Sequence, residues 1–314
     1  MVEPAHNRIT PATHRVILDS DIGTDVDDIL ALAFLLGSPE IRLEGVTTVY
    51  GDVELRTRIV HKVLTLRDRL DVPVHSGIGA PLLGRNPVYW PGHEGAGLLD
   101  EDDRFPDASE THAVDFLIER VMTNPGEITL LAVGPLTNIA AAIVREPRFA
   151  GSLRQLTIMG GKIDTSKHAS GPAEHNIGSD PEAAHIVFSS GAAIDLVPTD
   201  VTLRVLIRQH GVNVLRSAGT PYHLALAGQI ERHPKFMERG GSTFLHDPLA
   251  ALSLLKPDLL GWTPYHIDIE LTGTYTRAMV VARAPDDRRP TTARVAMDLD
   301  IASCEAFIID RIAN

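Results

Sequence analysis

Over roughly its first 200 residues the chain alternates short β-branched runs with helical ones, and this constrains the fold more than any other feature. RVILD (15–19) reads as a buried strand, and DVDDILALAFLLG (25–37) as a helix ended by Gly37. Asp25, Asp27 and Asp28 fall in its first turn, where acidic side chains suit the positive end of the helix dipole. The pattern continues with a strand over 41–51, a helix over about 53–70 and a strand over 72–77. A helix at about 112–123, a strand over 128–134, a helix at about 135–145, a strand over 155–161, a helix over 180–191 and a strand over 193–198 complete it. The fold class this predicts is α/β, with a mainly parallel central sheet flanked by helices. Residues 203–255 read as mostly helical, 264–298 as short alternating strands and about 302–312 as a final helix. Aromatic residues are only 5% of a chain that is 44% hydrophobic, so aliphatic side chains must build the core, as suits a buried parallel sheet.

No linker or internal repeat interrupts the pattern. Residues 1–14 read as an N-terminal tail and 15–314 as a single catalytic domain. In open parallel sheets ligands bind outside the carboxyl ends of the strands. The polar loops at 79–111 and 162–179 follow strands, so they are expected on that edge.

A net charge of −12 argues against nucleic acid polymers and anionic membranes as partners. The single cysteine, Cys304, excludes a disulfide within the chain and reads as a small apolar residue of the last helix. No apolar run is long enough to span a bilayer, and the first residues lack a signal-like apolar centre, so a cytoplasmic location is expected.

The strongest chemical signal is Asp19-Ser20-Asp21-Ile22-Gly23-Thr24-Asp25-Val26-Asp27-Asp28, five carboxylates in ten residues at a strand-to-helix turn. Like charges this close repel, and burial would force protons onto some of them. A hard cation such as Ca²⁺, which takes six to eight oxygen ligands, is the simplest way to keep several ionised. Helix capping explains one such Asp more easily than five. An EF-hand fails because the twelfth position from Asp19 is Leu30, and no GxGxxG phosphate loop follows the first strand. Far downstream, His246-Asp247-Pro248 precedes an apolar helix. Alone it reads as a helix cap with a surface histidine. Beside the acidic turn, Asp247 could complete a metal shell and His246 could stand at its rim as a proton-transfer group.

Together these segments resemble the inosine–uridine-preferring nucleoside hydrolase family. The resemblance rests on DSDIGTDVDDILAL from Asp19, VTTVYGD at 46–52, HEGAGL at 93–98, AVGPLTNIA at 132–140, MGG at 159–161, AEHNIGSDPEAA at 173–184 and HDPLA at 246–250, in the family's order. It implies hydrolysis of the N-glycosidic bond of ribonucleosides to ribose and free base, with Ca²⁺ as cofactor. Asp21 then matches a calcium ligand and general base for water. Asp28, Thr137 through its backbone carbonyl, and Asp247 match further ligands. Asp27, Glu174 and Asn176 match ribose-contacting groups, and His93 matches a histidine near the base. His246 matches a histidine proposed to protonate the leaving base. The family's nucleoside salvage role and its frequent homo-oligomers (dimers or tetramers) are implied likewise.

Four positions depart from the family pattern. The opening motif is two residues longer than the short DxDPGxDD form, so the roles of Asp25 and Asp27 are exchangeable. Asp52 stands where asparagine is frequent, His168 about where an asparagine contacts the 5′ end of the sugar, and His175 where phenylalanine is common. The base is left open, because the loops at 79–100 and 220–245 are expected to shape its pocket.

The chemistry fits these residue types. Cleavage develops an oxocarbenium-like ribose and an anionic base; a cation acidifies water, a carboxylate accepts the proton, and an acid protonates the base. Two rivals remain at this stage. A metal-dependent phosphohydrolase would share the Asp-rich first turn but should add basic residues, of which Lys162 and Lys167 are the nearest. A nucleoside- or ribose-binding protein without turnover would share the fold.

Overall fold

The computed structural model describes residues 14–314 apart from positions 86, 107–108, 165, 167–170 and 172. All but the last residue of the expected tail, and His168, therefore lie outside the described residues.

The first half of the chain runs β1 (His14–Ser20), α1 (Asp27–Leu36), β2 (Ile41–Thr48), α2 (Val53–Leu66), β3 (Val74–Ser76), α3 (Ala113–Met122), β4 (Ile128–Ala132), α4 (Thr137–Arg145), α5 (Phe149–Ser152) and β5 (Gln155–Met159). It continues with α6 (His175–Ser179), α7 (Pro181–Phe188), β6 (Ile194–Val197), α8 (Thr199–Thr202), β7 (Leu206–Arg208), α9 (Gln209–Ala218), α10 (Pro221–Arg232), α11 (Pro234–Glu238) and β8 (Ser242–Phe244). The last elements are α12 (His246–Ser253), β9 (Leu260–Ile269), β10 (Val280–Arg283), β11 (Ala293–Leu299) and α13 (Ile301–Ala313).

Nine strands form one sheet in the order β10-β9-β11-β6-β5-β4-β1-β2-β3. Those from β11 to β3 in that order run parallel, and β9 and β10 add an antiparallel edge. Both faces are covered. In β1, Val16 and Leu18 enter the core packed by α1, α12 and α13, while Ile17 enters the opposite core with α3, α4 and α7. Alternate side chains of one strand thus feed two cores, which is why Val16, Ile17 and Leu18 are apolar in succession rather than alternating with polar residues.

The chain moves outward from β1 to β2 and β3 on one side, and from β4 to β5 and β6 on the other. The crevice at the carboxyl ends of β1 and β4 is therefore a topological switch point. Asp19 pairs with Ala132 across it, so the acidic turn and the start of α4 emerge side by side.

Two differences from the sequence reading matter. Helix α1 starts at Asp27, because Ile22–Val26 form turns and bends rather than helix. The stretch read as mostly helical contains β7 and β8, a two-stranded antiparallel ribbon; three residues per strand are too few for alternation to register.

Candidate active site

The β1–α1 turn is held from below and from the side. Asp19 is wholly buried, and its Oδ1 accepts from Thr47 Oγ1 at 2.5 Å and Asn138 Nδ2 at 2.8 Å. Among the described residues its Oδ2 has no hydrogen-bond partner, and burial, reinforced by the charge of Asp21, pushes its pKa up to about 7. Gly23 takes φ +114°, a backbone conformation that favours glycine, and a Cβ there would also press on the Ile59 side-chain end at 2.6 Å. Ser20 Oγ donates to Asp28 Oδ1 at 2.6 Å and accepts from the Ile22 N–H at 3.0 Å, tying strand end to helix start.

Arg56 of α2 is fully buried beneath this turn. Its guanidinium donates to the carbonyls of Tyr50 (2.6 Å), Ile22 (2.7 Å) and Asp21, and to Thr24 Oγ1 (3.1 Å). A planar fork of donors can satisfy four oxygens at once, which lysine cannot. On the far side the β4–α4 loop abuts Asp21: a Cβ on Gly134 would lie 3.0 Å from Asp21 Oδ1.

On this base stands a carboxylate cluster. One oxygen each of Asp27, Asp28 and Asp247 lies within 4.8 Å of the others, and all three residues are buried. Asp27 and Asp28 open α1, and Asp247 opens α12, the helix packed against α1. Burial, with mutual repulsion among these residues and Asp21 and Asp25, drives all three pKa values well above the ordinary carboxylate range. Three buried anions without a compensating cation are unfavourable, and an all-oxygen donor set suits a hard divalent ion. The residues present thus fit a metal site. Asp27, matched from sequence to a ribose contact, sits in this cluster with Asp28 and Asp247.

Asp21 is itself buried and lies beside the cluster; its carboxylate is a main electrostatic neighbour of Asp28. His175 Nε2 stands 3.6 Å from Asp21 Oδ2, and its ring meets Tyr50 and Tyr89 edge-on. Burial alone would lower the His175 pKa, but the carboxylates of Asp21, Glu174 and Asp28 outweigh it and raise it.

Glu174 caps α6, accepting from the N–H groups of Asn176 (2.8 Å) and Ile177 (3.2 Å), and also from Gly161 N–H (2.8 Å). Asn176 Nδ2 donates to the carbonyls of Val133 (2.6 Å) and Met159 (3.1 Å), bridging the ends of β4 and β5. Thr137 opens α4, with its hydroxyl donating to Asp180 Oδ2 at 2.8 Å. His246 is half-buried, with Nδ1 2.6 Å from Thr202 Oγ1; burial lowers its pKa to about 4 against the opposing charge of Asp25. His93 Nε2 meets the Thr24 carbonyl at 2.9 Å. Asp52 is exposed and caps α2 through the Leu55 N–H.

Arg56, Asn138 and Asp180 support the site without having been singled out. Asn138 bridges Asp19, the Thr48 carbonyl and the Ile78 N–H. Asp180 caps α7 and holds the Leu82 N–H. Only Asp180 had a local signal, the Asp-Pro pair at a helix start. The partners of the other two lie on distant segments.

Comparison with known proteins matches residues 16–306 to the family model described as inosine-uridine preferring nucleoside hydrolase. An inosine-uridine preferring nucleoside hydrolase of Leishmania major is 33% identical over 310 residues, covering 95% of this chain and 97% of the relative. A probable uridine nucleosidase 2 of Oryza sativa is 32% identical, covering 85% and 81%. Among solved structures, a plant nucleoside hydrolase superposes with a TM-score of 0.84 at 28% identity, covering 96% of this chain and 99% of that one.

Proposed function

Because this chain belongs to the inosine-uridine preferring nucleoside hydrolase family, whose members are hydrolases acting on N-glycosyl compounds, we propose that it cleaves ribonucleosides with Asp21 as general base beside a Ca²⁺ site. The observation that carries this reading is the convergence of Asp27, Asp28 and Asp247 next to Asp21 at the switch point of the sheet.

Asp27, Asp28 and Asp247 would hold the ion, with Asp21 and the Thr137 carbonyl as further donors. When bound, the ion supplies Lewis acidity towards water and an anchor for vicinal hydroxyls. Asp21 accepts the proton of the attacking water and faces the positive charge that develops on the sugar. Arg56 holds the Asp21 backbone through its carbonyl and Gly134 lies close against the residue, so the carboxylate would need little reorganisation as the reaction proceeds. Glu174 and Asn176 fix the loop after β5, where they would meet the ribose hydroxyls. His246 is neutral at pH 7 by virtue of its low pKa. If the Thr202 hydroxyl donates to Nδ1, Nε2 carries the ring hydrogen and stabilises the developing anion of the departing base by hydrogen bonding, while the base takes its proton from solvent.

The test is release of free ribose from inosine, adenosine, guanosine, uridine and cytidine, with Ca²⁺ and after chelation. Calcium-dependent release, reduced at least ~100-fold in Asp21→Ala, is expected. Metal-independent release, or full activity in Asp21→Ala, would overturn the assignment.

A further inference from the structure

The long loop after β3 returns to the β1–α1 turn at residues 93 and 94, and a single hydroxyl group lies where the two meet. Thr24 Oγ1 accepts from the Arg56 guanidinium at 3.1 Å and donates to Glu94 Oε1 at 3.2 Å. A guanidinium only donates, which leaves the hydroxyl hydrogen of Thr24 for the Glu94 carboxylate. The direction of this chain of hydrogen bonds is therefore fixed, from Arg56 to Thr24 to Glu94.

Both ends of the chain are out of solvent. Arg56 has no exposed surface, and Glu94 is buried. Among the described residues every hydrogen-bond acceptor of Arg56 is a carbonyl or hydroxyl oxygen, and none is a carboxylate. Glu94 Oε2 is likewise buried without a hydrogen-bond partner. A buried cation and a buried carboxylate are each costly alone, and each offsets the other when one hydroxyl joins them. Glu94 is thus the counter-charge of Arg56 from the loop, and the Arg56 charge also acts on Asp28 of the cluster. Further contacts fasten the same loop to the same turn. His93 Nε2 lies 2.9 Å from the Thr24 carbonyl oxygen, and the Trp90 ring centre lies 4.9 Å from the Arg56 guanidinium. The Glu94 side chain packs on Gly23, where an added Cβ would lie 3.6 Å from Glu94 Cβ.

We propose that Glu94 is a positioning residue for Asp21: it holds the Thr24 hydroxyl, Thr24 aims Arg56, and Arg56 grips the Asp21 carbonyl. The inference rests on the nucleosidase reading above and deepens it, because it couples the general base to the long loop. Glu94 and Thr24 act through Arg56 and supply aim, so their loss slows turnover and leaves substrate binding nearly as it was.

The experiment measures kcat and KM for ribose release from inosine and uridine in Thr24→Val, Thr24→Ser, Glu94→Leu and the double variant of Thr24→Val with Glu94→Leu. Each variant is first shown by its melting curve to be folded at the assay temperature. Thr24→Val, matched in shape but without the hydroxyl, is expected to lower kcat about tenfold with KM nearly unchanged. Thr24→Ser, which keeps the hydroxyl, recovers most of that loss. Glu94→Leu loses about as much as Thr24→Val, and the double variant no more than either, because the same chain is broken in all three. A loss confined to KM, losses that multiply in the double variant, or a folded Thr24→Val with wild-type kcat overturns the inference. Amide hydrogen exchange tests the coupling without turnover. Thr24→Val should speed exchange both in the turn at 20–24 and in the loop at 93–98, and unchanged exchange in either overturns the coupling. If the wild-type protein releases ribose from no nucleoside, the nucleosidase reading falls, and exchange alone decides whether turn and loop are coupled. If it does release ribose and the variants match it, only the role of Glu94 falls.

Discussion

Arg56 shows how a single side chain far from the chemistry in sequence can set its geometry. It is an exposed-type residue with no accessible surface, and every acceptor it serves belongs to the β1–α1 turn or to the loop after β2. Its guanidinium also lies 4.9 Å from the centre of the Trp90 ring, linking the turn to the long loop. Arg56→Met leaves several buried carbonyls without donors, so urea denaturation should report a loss of at least ~2 kcal/mol. The same variant should lower kcat as Asp21 loses its fixed backbone. An unchanged midpoint would mean that water replaces the guanidinium at no cost. Among the metal candidates, Asp247→Ala should weaken Ca²⁺ binding by more than the roughly 10–100-fold typical of outer-shell changes, read by calorimetry. Native affinity in that variant would remove Asp247 from the ligand set.

At the scale of elements, the site depends on how α1, α12 and α13 pack. Helices α1 and α12 begin with the carboxylates and lie against each other, while α13 crosses the far end of α1. Gly37 terminates α1 where that crossing is tightest: a Cβ would fall 1.9 Å from the Arg311 carbonyl oxygen. Its φ of −86° is open to any residue, so the constraint is space and not backbone conformation. Gly37→Ala must push α13 away or tilt α1, at a cost of about 1–3 kcal/mol. Thermal unfolding should show the loss, and a crystal structure should show the displacement. An unshifted melting temperature would show that the end of α13 yields freely.

For the whole molecule, the carboxylate cluster joins the first crossover of the sheet to the helix after β8, so a metal ion bound there would link its binding to global stability. The buried carboxyls of Asp27, Asp28 and Asp247 have folded pKa values raised well above 3.8, and that of Asp19 is about 7. Groups raised in this way favour the fold fully below their unfolded value and lose that contribution as pH rises through the folded one. The chelated protein should therefore lose stability as pH rises, for Asp19 between about 3.8 and about 7. A divalent cation held there, Ca²⁺ in the proposed reading, would bind the ionised carboxylates, so the stabilisation it confers should grow with pH, and its binding should release protons. At a hundredfold excess over Kd the gain is about 2.7 kcal/mol. Melting curves with and without chelator between pH 5 and 8, and calorimetry in buffers of different ionisation heat, test this. A calcium effect independent of pH, with no proton release, would show that the cluster is already ionised without metal.

The local order of apolar and polar residues determined much by itself. Short aliphatic runs alternating with helices require a parallel sheet covered on both faces, and the structure has one, because burial on both sides leaves a strand no polar alternation. Five aspartates at one turn pointed to an acidic cluster that could hold a cation, and the structure gathers such a cluster from two of them and Asp247; their repulsion is readable without coordinates. Tertiary structure decided the rest. Whether Asp25 or Asp27 joins the cluster turned on α1 starting two residues later than the acidic run suggested, and helix starts depend on capping and packing as much as on composition. The β7–β8 ribbon was too short to show periodicity. Arg56 beneath the turn, Asn138 across Asp19 and His233 against Asp25 were invisible, since each partnership joins segments the chain separates. Hydrogen bonds between such segments leave no spacing in the sequence; only the folded sheet brings donor and acceptor together.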